Sequence, residues 1–147
     1  MSLSTTLSRI HSRAKSQKRL RYFAVFNRVM LALGFIPSGF VKIMGERFTD
    51  LHVNTPMGNY LEALHRTGFY YTFIGVLQVA AAILLLIPRT VLLGALIYFP
   101  LILNICVLTW ATRFVGSWLT APLMVLANLY LLCWNYDKLR LIFPWED

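Results

Sequence analysis

Four long apolar stretches constrain this chain more than any other feature of its sequence. They cover residues 22–42, 69–87, 91–110 and 117–134, and each comes close to the ~20 residues that an α-helix needs to cross a bilayer. Hydrophobic residues make up 58% of the 147 residues and charged residues only 14%, whereas soluble domains are about 25% charged. The sequence therefore predicts an all-α fold, an antiparallel bundle of four transmembrane helices.

The connections between the stretches divide the chain. The joints "IPRT" (87–90) and "ATRFVGS" (111–117) are short, so only residues 45–68 form a long outer loop. In that loop Pro56 precedes apolar residues at helical spacing, which predicts a short helix that lies on the outer surface or dips into the bundle. We expect a leader at 1–21, a transmembrane domain at 22–140 and a short tail at 141–147.

Positive charge is concentrated in the leader. Lys and Arg number fourteen against six Asp and Glu, a formal charge of +8, and the first acidic residue is Glu46. No aromatic RNA-binding motif accompanies the charge, so we expect no nucleic-acid partner. Seven of the basic residues precede residue 29: Arg9, Arg13, Lys15, Lys18, Arg19, Arg21 and Arg28.

The composition of the leader fits two kinds of segment. It is rich in Ser and Arg, lacks acidic residues and spaces Leu3, Leu7, Ile10 and Ala14 along one helical face. That description fits an organellar transit peptide, and it fits equally a bacterial cytoplasmic segment that lies on anionic lipid. We favour the bacterial segment.

The basic residues also predict an orientation. Ten of the fourteen fall on the leader's side of a four-span bundle, and the other side holds only Lys42, Arg47, Arg66 and Arg113. Because basic residues stay on the cytoplasmic side, we expect a multi-pass protein of the bacterial inner (plasma) membrane with both termini in the cytoplasm.

Polar side chains inside the apolar stretches predict a ligand site. Such groups cost free energy in lipid unless they bond to another helix or serve a function. At a rise of about 1.5 Å per residue, these polar side chains lie at successive depths between the inner and the outer membrane boundary. On the first stretch Arg28, Phe35 and Lys42 share one helical face, and Ser38 lies at the edge of that face. The predicted site consists of Arg28, Phe35, Ser38, Lys42, Gln78, Asn104 and Asn128.

The same side chains also fit purely structural roles. The amides could instead hydrogen-bond between packed helices, each contributing about 0.6 to 2 kcal/mol, and the long side chains of Arg28 and Lys42 could extend to the membrane surfaces. Pro37 and Gly39 predict a bend in the first helix that directs Lys42 toward the outer mouth of the bundle.

The sequence contains no HExxH motif, no glycine-rich phosphate loop, no haem-binding CxxCH and no serine-based catalytic motif. His52 and His65 are thirteen residues apart in the loop, a weak basis for a metal site. Cys106 and Cys133 lie at depths about 20 Å apart, too far for a disulfide. We therefore expect no metal and no catalytic activity of the chain on its own.

Four ordered runs resemble the DoxX-like family of small four-helix bacterial membrane proteins. They are "RVMLALGFIPSGFVKIMGERF", "GFYYTFIGVLQVAAAILLLIPRTVLLGAL", "ILNICVLT" and "LANLYLLCWNYDKL". The resemblance covers about residues 27–140 and implies a four-helix bundle associated with redox and quinone chemistry. Members often have a glutamate where this chain has Gln78, so the resemblance gives no support to proton-coupled work at that position.

Three functions follow from these features. The first is a redox-associated accessory protein that binds a quinone or lipid-like ligand in the bundle. The second is a structural or assembly subunit of a larger membrane complex, and the third is a small transporter formed by a homo-oligomer. We expect the lipid bilayer as a partner in each case, together with further copies of the chain or other subunits.

The topology can be tested with reporter fusions at residue 2 and at residue 147. We expect both reporters to be active only in the cytoplasm, because ten of the fourteen basic residues lie on that side of the predicted bundle. A periplasmic signal from either fusion would contradict the predicted orientation.

Overall fold

A computed structural model of the chain describes residues 3–143, and all regular secondary structure in that range is helical. The last two helices are separated from each other by Asn135 alone. The helices are α1 (Leu3–Ser16), α2 (Lys18–Ile43), α3 (Pro56–Arg66), α4 (Phe69–Leu86), α5 (Val91–Ala111), α6 (Thr120–Trp134) and α7 (Tyr136–Ile142), with a 3-10 turn at Val115–Ser117 before α6.

By length and composition, four segments are long and apolar enough to cross a membrane, which confirms the prediction that the chain is helical, here over residues 3–143, with four apolar stretches of membrane-crossing length. Their mean hydropathy is between 1.5 and 2.5, and helices of mostly apolar residues are stable in the hydrocarbon core of a bilayer. The segments are Lys18–Ile43, Phe69–Leu86, Val91–Ala111 and Val115–Trp134.

Several helix ends differ from the predicted boundaries, and α6 begins at Thr120, three residues after the predicted start. The leader helix ends at Ser16, where Gln17 adopts an extended backbone (φ −82°, ψ 114°), and residues 18–21 belong to α2 because Lys, Arg and Leu are good helix formers. At the other terminus α7 extends to Ile142, inside the predicted tail, and residues 144–147 lie outside the described range. α2 also continues through Pro37 to Ile43.

The backbones of α2 and α4 meet at a pair of glycines. A Cβ atom added to Gly75 would lie 2.7 Å from the carbonyl oxygen of Gly39 and 2.7 Å from the Cβ of Lys42. Small residues permit such close approach between membrane helices. On the amino-terminal side of Gly39, residue numbers rise along α2 while they fall along α4, since Arg28 contacts Leu85 and Ser38 contacts Gln78.

A buried tyrosine lies in the core of the bundle. The ring of Tyr98 in α5 stacks on Phe35 of α2 with 3.7 Å between ring centroids, and its hydroxyl donates to the Leu31 carbonyl at 3.0 Å. Buried aromatic hydroxyls need such a partner. The other buried residues packed in this core are Ala24, Ala32, Ala81, Ala82, Leu85, Val91, Ala95, Ile102 and Leu131.

The helix α1 is attached to the opposite end of the chain. His11 Nε2 lies 2.9 Å from the Trp134 carbonyl and His11 Nδ1 lies 3.2 Å from an Asp137 carboxylate oxygen. Lys15 donates to the same carboxylate at 2.8 Å. The Lys15 hydrogen bond, with a smaller contribution from His11, holds the pKa of Asp137 below its ordinary value. The leader and α7 therefore lie at the same end of the bundle.

The glycine contact predicts a difference between two alanine substitutions. We expect Gly75→Ala to lower the free energy of unfolding by about 1–3 kcal/mol, because the new methyl group meets backbone atoms that cannot move aside. Gly34→Ala is the matched control, since the one close contact of its Cβ would be with the mobile end of Met124 at 2.8 Å, and the Tyr98 hydroxyl lies at an ordinary contact distance of 3.8 Å. That change should be neutral or stabilise α2 by up to about 1 kcal/mol.

Thermal unfolding of both variants in detergent measures the difference. Equal midpoints for Gly75→Ala and Gly34→Ala would show that the backbones of α2 and α4 do not meet as described.

Candidate ligand-binding site

The structure brings three of the seven predicted site residues together. Ser38 and Lys42 lie one turn apart in α2, and Gln78 faces them from α4. The side chain of Phe35 is instead part of the core against Tyr98. The remaining three residues, Arg28, Asn104 and Asn128, lie elsewhere in the bundle and are described below.

Lys42 is a buried cation with no acidic partner among residues 3–143. Only 5% of the residue is exposed, and its ammonium Nζ donates to the Ser38 hydroxyl at 2.7 Å and to the Ser38 carbonyl at 3.2 Å. The ion pairs in the described part of the chain use other basic residues. A buried charge normally has a counter-charge, because removal of an ion from water costs several kcal/mol.

Two aromatic rings partly replace the missing counter-charge. Nζ of Lys42 lies 4.2 Å from the ring centroid of Phe48 and 6.0 Å from that of Tyr71. The negative face of an aromatic ring attracts a cation by about 0.5–2 kcal/mol. Tyr71 is fixed by a hydrogen bond from its hydroxyl to the Glu46 carbonyl at 2.9 Å. The rings therefore lower the cost of the buried charge but do not neutralise it.

A short hydrogen-bonded chain continues from Lys42 into the bundle. The Ser38 hydroxyl accepts from Lys42 and is placed to donate to Gln78 Oε1, although at 3.4 Å the second bond is long. Gln78 is almost completely buried. The cluster consequently contains an ammonium, a hydroxyl and an amide on two facing helices, a set of groups that can bind an anionic or carbonyl oxygen.

The outer loop is held over this cluster by contacts of its own. Glu62 of α3 accepts from Arg47 at 3.0 Å and from Arg66 at 3.1 Å, and His65 Nε2 lies 2.9 Å from the Gly45 carbonyl. The side chain of Thr55 caps the first turn of α3. Phe48 lies in the loop segment that these contacts fix, so the loop determines the cover over Lys42.

Arg28 does not reach this cluster. Its guanidinium donates to the carbonyls of Leu85 and Leu86 at 2.8 Å each, at the carboxyl end of α4. Carbonyls there lack partners within the helix and carry the negative end of the helix dipole. Arg28 is thereby stabilised toward the leader end of the bundle, fourteen residues before Lys42 in α2 and about 21 Å from it along the helix axis.

The two predicted asparagines are also separate from Lys42. Asn128 is fully buried and donates to the Ala95 carbonyl at 3.1 Å, while its Oδ1 has no partner in residues 3–143. Asn104 lies on the exposed side of α5. Asn27 was not among the predicted site residues, yet it is buried and its Nδ2 has no partner within the described chain.

Aromatic residues at the cluster were likewise absent from the predicted site. Phe48 and Tyr71 contact Lys42 from the loop and from α4. For Tyr71 a signal existed, because it shares a helical face with Gly75 and Gln78. Nothing in the sequence pattern places Phe48 over a residue six positions earlier, since that contact depends on the path of the loop.

The four apolar spans and the polar cluster buried between two of them define a membrane protein. The chain belongs to the family of "Uncharacterized protein YwoB" of Bacillus subtilis (strain 168). The two proteins are 34% identical in an alignment 131 positions long, which covers 81% of this chain and 80% of that protein. No family model matches the chain, and no solved structure matches it either.

The hydrogen bonds of Lys42 predict an energetic coupling with Ser38. We expect Ser38→Ala to lower the free energy of unfolding by about 1–3 kcal/mol, because the buried ammonium loses its shortest hydrogen bond. Lys42→Met removes the charge and should leave stability unchanged or raise it. In the Lys42→Met background Ser38→Ala should cost less than about 1 kcal/mol.

Unfolding of the four proteins of this double-mutant cycle measures the coupling. Additive effects of the two substitutions would contradict the contact between the Lys42 ammonium and the Ser38 hydroxyl.

Proposed function

We propose that this protein is an accessory subunit of a bacterial membrane redox system and holds a quinone- or lipid-like ligand with its polar head at Lys42. The observation that carries the proposal is the buried ammonium of Lys42, which has no acidic partner among residues 3–143. An anionic or strongly polarised oxygen from a ligand supplies the missing partner.

The groups around Lys42 suit such a head group. The ammonium carries the charge, and the Ser38 hydroxyl lies 2.7 Å from it and can reorient toward a ligand oxygen. Gln78 supplies an amide behind the hydroxyl. In a region of low dielectric these interactions are stronger than they would be in water. The same chemistry recognises a lipid phosphate and a quinone carbonyl.

Access to the ammonium passes Phe48. Its ring covers Nζ at 4.2 Å and is 48% exposed, so it can rotate outward without disrupting the core. Two large apolar side chains next to the loop, Phe40 of α2 and Met44 directly after it, are exposed and face lipid in a membrane. They offer a surface for an apolar tail while the head group contacts Lys42.

The membrane context is part of the proposal. The resemblance to the DoxX-like family supports the redox association. The opposed contact order along α2 and α4 supports an antiparallel bundle, and the excess of basic residues at the leader end supports cytoplasmic termini in a bacterial inner membrane. In that orientation Lys42 lies at the outer leaflet, and Gln78 keeps the centre of the bundle uncharged.

A structural or assembly subunit of a larger complex is the second candidate. The observation that favours it is the exposure of the segment that contains α6. Only 17% of the residues in its apolar stretch are buried, compared with 33% in each of the other three segments. Leu119, Leu123 and Leu126 are exposed at helical spacing along it. This face is available to another subunit or to a second copy of the chain.

Native mass spectrometry of delipidated protein tests the ligand proposal. We expect the wild-type protein to retain a short-chain benzoquinone or phosphatidylglycerol more strongly than phosphatidylcholine. Lys42→Met should weaken that binding at least about tenfold, the effect of losing one charged hydrogen bond. Gln78→Glu should weaken it as well, because a carboxylate beside Ser38 would pair with Lys42 inside the protein.

Arg113→Gln is the matched control. It removes a cation from the same end of the bundle, next to Thr112, which contacts Met57 of α3, and it should leave binding unchanged. Equal binding by wild-type protein and Lys42→Met would contradict the site. If neither compound binds and a second subunit stays attached through α6, the structural candidate is supported instead.

A further inference from the structure

We propose that the N-terminal helix α1 is a binding surface for anionic lipid at the leader end of the bundle. This surface is independent of the ligand site at Lys42, which lies at the other end. The proposal rests on the attachment of α1, on the apolar side chains that extend beyond the attachment, and on the charge of the leader.

The attachment fixes which side of α1 faces the membrane. His11 contacts Trp134, the last residue of α6, and Lys15 contacts Asp137 of α7. Trp134 ends a membrane span, so α1 is held at the level where lipid head groups begin. The side of α1 that carries His11 and Ala14 faces the end of the bundle, since both are partly buried while their neighbours in the helix are exposed.

The same side of α1 continues past the bundle as an apolar surface. Leu7 and Ile10 precede His11 and Ala14 by four residues each, which places all four on one face of the helix. In the structure Leu7 is 48% exposed and Ile10 is 60% exposed. Because the face that meets the bundle is the membrane-facing one, these two side chains are positioned to enter the lipid interface.

The positive charge of the leader favours lipids with anionic head groups. Six basic residues lie between residues 9 and 21 with no acidic residue before Glu46. At about 100° per residue Arg13 lies on one flank of the apolar face and Lys15, which is paired with Asp137, on the other. An amphipathic helix with basic flanks binds anionic head groups through charge and the lipid boundary through its apolar residues. The six are Arg9, Arg13, Lys15, Lys18, Arg19 and Arg21.

A fluorescent probe at residue 7 tests this proposal in the full-length protein. Leu7→Cys is labelled with an environment-sensitive dye in a background of Cys106→Ala and Cys133→Ala. The protein is placed in nanodiscs of phosphatidylcholine with increasing phosphatidylglycerol. We expect the emission to shift to shorter wavelength, and quenching by iodide in solution to fall at least about twofold, as the anionic lipid increases.

Charge variants separate lipid binding from other causes. Arg9→Gln combined with Arg13→Gln should require more phosphatidylglycerol for the same shift, because each cation near an anionic surface changes the equilibrium about fivefold. Lys138→Gln combined with Arg140→Gln removes the same charge from α7 and should leave the probe's response unchanged. Melting temperatures of all variants confirm that the bundle is folded.

Two results would overturn the proposal. One is a probe signal that does not depend on phosphatidylglycerol, which would assign Leu7 and Ile10 to water or to a protein partner. The other is an equal change in the α7 control variant, which would show that total charge at this end, and not the α1 surface, determines the response.

Discussion

The close contact between the backbones of α2 and α4 determines where the other parts of this structure lie. Gly39 and Gly75 remove the side chains that would separate the two helices, and the space next to Gly75 is filled by the Cβ of Lys42. Because the helices touch there, Lys42 cannot lie on the lipid-facing side of the contact and is directed between them. The same approach brings Ser38 to Gln78. A wider separation would expose both and disperse the polar cluster.

Two cations in the first span show two different solutions to the cost of charge in a membrane protein. Arg28 reaches the carbonyls at the carboxyl end of α4, where planar donors match two adjacent acceptors and the helix dipole is favourable. Lys42 has a serine and two aromatic rings but no negative group among the described residues. The arginine is explained by helix packing alone, whereas the lysine leaves a charge that packing does not balance.

Much of the helical layout could be predicted from the sequence, because long apolar stretches and short joints are local properties. The positions of the polar residues were less predictable. Asn104 belongs to the predicted site and lies on the exposed side of α5, while Asn27 lies outside the predicted site and is buried. In spans that are apolar all round, hydrophobic periodicity gives little indication of which face is covered. The rotation of each helix is instead set by contacts such as Gly39 with Gly75, which join residues distant in the chain.

The environment of Lys42 illustrates the same limit. The sequence predicts Lys42 at the outer mouth of the bundle, with extension to the membrane surface as the alternative, but it does not predict that the loop places Phe48 over the ammonium. In our proposal this ammonium binds an oxygen from outside the chain. A structure of the protein in nanodiscs formed directly from its own membrane would reveal that oxygen. We expect a non-protein head group within hydrogen-bonding distance of Lys42 Nζ, whereas Nζ paired with a carboxylate of the chain, or bonded to Ser38 alone, would contradict the proposal.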